Sequence, residues 1–160
     1  MSSTNRSRRS LFSLAGLSSL GLFVKKTQAA DSTSLRFKGE EATHKLVYQC
    51  NKADDAYLGH ILFSVGEMIR KYGDGIDVVV TAFGPGVQLL GQNPTRPIAK
   101  IHQQRVTSLL MYGVNFHACG NTMKSLGWKE IDLLDGVTVV EVGAVDLMLL
   151  QEKGYSYISW

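Results

Sequence analysis

Hydrophobic residues along this chain alternate between short continuous runs and longer stretches repeating at three and four. His44–Cys50 is a run of the first kind and predicts a strand, followed by a polar loop over Asn51–Asp55. From Ala56 to Tyr72, Leu58, Ile61, Leu62, Val65, Met68 and Ile69 recur at helical spacing. Gly73-Asp74-Gly75 closes that helix. Ile76–Phe83 is β-branched and almost wholly apolar, which suits a strand covered on both faces. Gly84-Pro85-Gly86 breaks it, and Val87–Leu90 begins a short turn or helix. After an irregular segment, Ile98–Tyr112 carries Ile98, Ile101, Val106, Leu109, Leu110 and Met111 on a helical pattern stopped by Gly113.

The next stretch returns to period two. Val114, Phe116 and Ala118 alternate with Asn115, His117 and Cys119, so a third strand ends at a cysteine. A short helix over Met123–Leu126, a strand over Val137–Val142, a helix over Ala144–Lys153 and a short final strand over Tyr155–Trp160 complete the series. Strands alternating with helices predict one α/β domain over residues 44–160. It has three layers and a mostly parallel five-stranded sheet joined by right-handed crossovers. In such sheets the working loops lie at the carboxyl ends of the strands, near a switch in strand order. With strand order 2-1-3-4-5, the first and third strands would be neighbours, and Cys50 and Cys119 would share one rim.

Upstream of this domain the pattern is different. Arg8-Arg9 sits between Ser7 and Leu11-Phe12, followed by a diluted apolar run to Val24, then Lys25-Lys26 and Thr27-Gln28-Ala29-Ala30. This order resembles a twin-arginine export signal over residues 1–30, with cleavage after Ala29 or Ala30. The expected location is the periplasm. The run is too short for a comfortable membrane span, so no stable insertion is expected after cleavage. Residues 31–43 are polar and aperiodic and read as a flexible lead-in. The leader also accounts for the basic balance of the whole chain. Removing its five basic residues leaves 12 basic and 14 acidic side chains, so charge gives no case for nucleic-acid binding.

The chemistry concentrates at Cys119. Gly120 lets the backbone turn there, and Asn121 or Thr122 can cap the following helix. Unpaired N–H groups and the positive end of a helix dipole favour thiolate, the reactive form. Cys119 is therefore a candidate nucleophile or sulfur carrier; a buried structural cysteine is the other reading. Gly120, Asn121 and Thr122 are candidates to hold an anionic sulfur, with Gly84, Pro85, Gly86 and Asn51 on neighbouring loops. His117 shares a strand face with Cys119 and either tunes the thiol or packs beside the sheet. Cys50 is either a resolving partner or a core cysteine. Cys50, His60, His117 and Cys119 lack the spacing of a structural zinc site, and no metal is expected. No cofactor is expected either, because no P-loop or dinucleotide fingerprint is present. His44 and His102 read as solvated surface residues.

The run Gly113-Val114-Asn115-Phe116-His117-Ala118-Cys119-Gly120-Asn121-Thr122-Met123-Lys124 resembles the cysteine motif of the DsrE/DsrF-like family. The Gly84-Pro85-Gly86-Val87 segment and the ending Leu150–Ile158 are also similar to its members. The resemblance implies a flavodoxin-like α/β fold, assembly into trimers or hexamers, and sulfur relay through a persulfide, a role that falls on Cys119. A sulfur donor or acceptor protein, or a small thiol, is the implied partner. The alternative is a non-catalytic oligomeric binding protein using the same rim for a small anion, thiol or partner protein.

Overall fold

The structure, a computed structural model, describes residues 41–160; the leader, its cleavage site and nearly all of the lead-in lie outside the described residues. The elements are β1 (His44–Cys50), α1 (Asp55–Tyr72), β2 (Ile76–Ala82), α2 (Lys100–Met111), β3 (Asn115–Cys119), α3 (Gly120–Leu126), β4 (Thr138–Val140), α4 (Gly143–Glu152) and β5 (Ser156–Ile158). A 3₁₀ segment over Gly84–Leu90 joins β2 to the approach of α2.

The five strands form one all-parallel sheet in the order β4-β3-β2-β1-β5. Helices cover both of its faces. On one, Tyr48, Val80 and Phe116 pack against Leu58 and Ile61 of α1, Val106 of α2 and Met123 of α3. On the other, Val47 and Val79 meet Leu147 and Leu150 of α4. The apolar run Val78-Val79-Val80 is thus buried from both sides, as its composition demands. Each such side chain contributes about 1.5–3 kcal/mol by leaving water. Tyr48, fully enclosed, satisfies its hydroxyl against Ser64 at 2.8 Å.

Strand order departs from 2-1-3-4-5, and the departure moves the switch point. The chain steps from β1 to β4 in one direction, with α1, α2 and α3 on one face. It then returns beneath the other face through α4 to set β5 beside β1. Connections after β3 and β4 therefore leave toward opposite faces. By topology the switch point lies between the carboxyl ends of these two neighbours, where β3 ends at Cys119.

A second departure concerns α2. Its buried stripe is His102, Val106 and Leu109, while Ile101 and Met111 are exposed and Ile98 precedes the helix. His102 is thus interior, only 5% exposed, and its Nε2 meets Asp55 Oδ1 at 2.8 Å. That pair ties α2 to the first turn of α1, a polar contact that apolar periodicity does not register. Among the described residues no helix is long and apolar enough to cross a membrane.

Candidate functional site at the carboxyl end of the third strand

Cys119 is both the last residue of β3 and the N-cap of α3, with extended backbone at φ −68° and ψ 115°. The strand holds it because Phe116 and Ala118 are locked into the core on the opposite face. The helix begins at once because Gly120 fits beneath β4: a Cβ there would stand 3.1 Å from the Val140 carbonyl oxygen.

The sulfur is largely covered, with 5% of the residue exposed. Burial by itself raises the thiol pKa. Four donors outweigh it: the Gly143 N–H, the Thr122 N–H, the Thr122 hydroxyl and the Asn121 N–H hold the thiol below its ordinary range. Gly143 opens α4, and Asn121 and Thr122 lie in the first turn of α3. The thiol therefore lies where two helices begin, one on each face of the sheet. The arrangement suits a thiolate, or a second sulfur atom bearing the negative charge.

The neighbouring loop is bound to the same cluster. Gly84 N–H donates to Thr122 Oγ1 at 3.0 Å, and Gly84 holds φ +52°, a conformation that favours glycine. Gly86 presses on β1: a Cβ there would meet the Cys50 carbonyl oxygen at 2.1 Å. Asn51 and Pro85 face a different space. They line a cavity of about 410 Å³ with Lys52, Asp54, Arg96 and Pro97. The sequence-derived set thus divides. Gly84, Gly120, Asn121 and Thr122 gather around Cys119, while Asn51 and Pro85 open beside it and Gly86 is buried packing.

Cys50 does not join Cys119. Strand β2 lies between them, a separation of roughly 10 Å for two strand spacings, whereas a disulfide needs Cα atoms within about 7 Å. Both cysteines are free. Cys50 is completely buried on the α1 face, and burial pushes its thiol up to about 12. It is a core residue and not a resolving partner.

His117 is partly buried beside the sheet, against α4. Its Nδ1 lies 2.9 Å from Asp146 Oδ2, and the Thr81 hydroxyl donates to the same oxygen at 2.7 Å. Gly143, Asp146 and Thr81 were not legible as site residues. One signal did exist: Asp146 is the single charge in the apolar run Ala144–Leu150. Among the described residues no group of three or more His, Cys, Asp and Glu side chains converges as a metal site.

The chain matches the DsrE/DsrF-like family over residues 44–160. Three solved structures are similar. A protein of unknown function from Methanobacterium thermoautotrophicum, MTH1491, superposes with a TM-score of 0.66 at 26% identity, covering 73% of this chain and 99% of that one. The ychN protein of E. coli gives 0.62 at 18% identity, with the same coverage of each chain. A conserved protein of unknown function from Bacteroides thetaiotaomicron, BT1422, gives 0.55 at 18% identity, covering 72% of this chain and 94% of that one. No curated protein matches.

Proposed function

Because the chain belongs to the DsrE/DsrF-like family, a family related to sulfur relay, we propose that it carries sulfur as a persulfide on Cys119. The observation that supports this reading is the set of four donors around one thiol. The step is a thiol exchange. The Cys119 thiolate attacks the outer sulfur of a donor such as thiosulfate, whose S–S bond breaks. Sulfite leaves with the bonding electron pair, and a new S–S bond forms at Cys119. An acceptor thiolate then attacks the terminal sulfur and regenerates the Cys119 thiolate. No external oxidant is required, and the charge developing on each sulfur faces backbone N–H groups.

The basic leader supports export to the periplasm. Exposed apolar side chains on α4 (Val145, Met148 and Leu149), with Tyr157 and Trp160 beyond it, support self-association, and the family resemblance is what suggests trimers or hexamers. A monomeric elution profile of the domain would remove that part of the reading.

The test is intact-mass analysis after incubation with thiosulfate or polysulfide. One added sulfur, removable by a reducing thiol and missing from Cys119→Ser, is expected. No adduct, together with alkylation no faster than that of a free cysteine, would leave the non-catalytic binding protein as the better description.

A further inference from the structure

We propose that Asp146 is a positioning residue for the Cys119 thiol, a reading that rests on Cys119 being the reacting group. Asp146 stands in the first turn of α4. Its Oδ2 accepts from Thr81 Oγ1 at 2.7 Å and from His117 Nδ1 at 2.9 Å. Thr81 and His117 are register partners on β2 and β3, so one oxygen fastens the start of α4 to two strands at the same level. A carboxylate oxygen only accepts, so Nδ1 carries the proton in this pair.

Three residues upstream on the same helix face, Gly143 turns its N–H to the Cys119 sulfur. There is little slack at that contact. A Cβ on Gly143 would stand 3.0 Å from Phe83 Cβ and 3.2 Å from Cys119 Cβ. The remaining grip of α4 on the sheet is apolar, through Leu147 and Leu150. Apolar packing sets how closely a helix lies but is not directional, whereas a hydrogen bond fixes rotation and register. The Asp146 clamp is the side-chain contact that fixes the first turn of α4 to the sheet, while a backbone bond from Asn121 N–H to the Glu141 carbonyl at 3.2 Å holds the approach to the helix. Both of its charged-type members are well covered, at 17% and 14% side-chain exposure, which protects the bonds from competition by water.

Other groups on this face do not substitute for it. Lys45 and Asp77 lie at the amino ends of β1 and β2, and Tyr157 on the edge strand is held by Gln49 at 2.6 Å. Glu141, ahead of α4, is exposed and meets Asn121 through its backbone carbonyl at 3.2 Å. The influences on the Cys119 thiol are burial and hydrogen bonds, with no side-chain charge among them, so removing the Asp146 charge has little direct effect.

The experiment is iodoacetamide alkylation of the full chain across pH, followed by mass spectrometry at the Cys119 peptide, with melting temperature measured in parallel. Asp146→Ala is expected to slow alkylation at neutral pH by about tenfold and to move its pH midpoint upward. Thr81→Val keeps shape and charge but removes one of the two bonds; a slowing of about threefold is expected. Asp146→Asn keeps an acceptor oxygen and should stay within about twofold of the parent. If Asp146→Ala does not fold, Thr81→Val decides. An unmoved pH profile in the folded variants, even with a lower melting temperature, would overturn the proposal. A parent protein whose Cys119 alkylates like a free cysteine would overturn it in a different way, by removing the reactive thiol itself.

Discussion

Replacing Thr122 with valine conserves side-chain volume and removes one hydroxyl with two duties. That hydroxyl accepts from Gly84 N–H at 3.0 Å and donates to the Cys119 sulfur. The two losses appear in different measurements. A hydrogen bond to a charged group contributes about 1.5–3 kcal/mol, so the thiolate should become at least about tenfold scarcer at neutral pH. Gly84 N–H, half-buried, loses its acceptor, which costs about 1 kcal/mol of stability. For a domain of this size that is a fall in melting temperature of about 3–6 °C. Thr122→Ser retains the hydroxyl and should behave like the parent in alkylation. The assay is the pH dependence of alkylation at Cys119 alongside thermal unfolding. A valine variant with the parent's alkylation profile, or a serine variant that reacts more slowly than valine, would refute the reasoning.

Alkali provides a separate test at the other cysteine. The Cys50 thiol titrates near 9 when the chain is unfolded and is pushed up to about 12 by burial in the fold. Folding therefore keeps a proton that the unfolded chain gives up. The resulting stability is fully present below pH 9 and is lost as pH rises through the window from 9 to 12. Urea unfolding of Cys50→Ala should show a shallower loss across that window than the parent, and parallel slopes would count against the assignment. Gly86→Ala would drive a methyl group into the Cys50 carbonyl oxygen at 2.1 Å, a backbone contact with no flexible end to yield. A loss above about 3 kcal/mol, or no folded protein, is expected by chemical denaturation. A loss below about 1 kcal/mol would show that the loop moves freely.

Local periodicity carried most of the architecture. The β-branched run Ile76–Phe83 suited a doubly covered strand, and the Leu58-Ile61-Leu62-Val65 stripe had the spacing of a helix face. Cys119 at a strand-to-helix junction was legible for the same reason, since alternation ends there and a glycine follows. What the pattern does not encode is which strands lie side by side. Strand order depends on which face each crossover takes, and a two-sided apolar strand such as β2 pairs equally well with either neighbour by composition. The expectation that Cys50 and Cys119 end neighbouring strands followed from that ambiguity. Gly143 was invisible because it acts through its backbone N–H, and His102 because its partner, Asp55, is 47 positions away. Asp146 and Thr81 carried a fainter mark: a lone acid on an apolar helix and a hydroxyl within an apolar strand.

The insertion of β2 between the two thiols has a redox consequence. Two sulfhydryls on one small domain commonly offer an intramolecular route to oxidation, which is fast because it does not depend on concentration. Here that shortcut is blocked by geometry. Oxidation of the Cys119 sulfur must proceed by encounter with a solute or with another polypeptide, and the route through a second copy slows on dilution. A domain built this way can meet an oxidising environment as a dilute population and keep its thiol available for the partner that arrives.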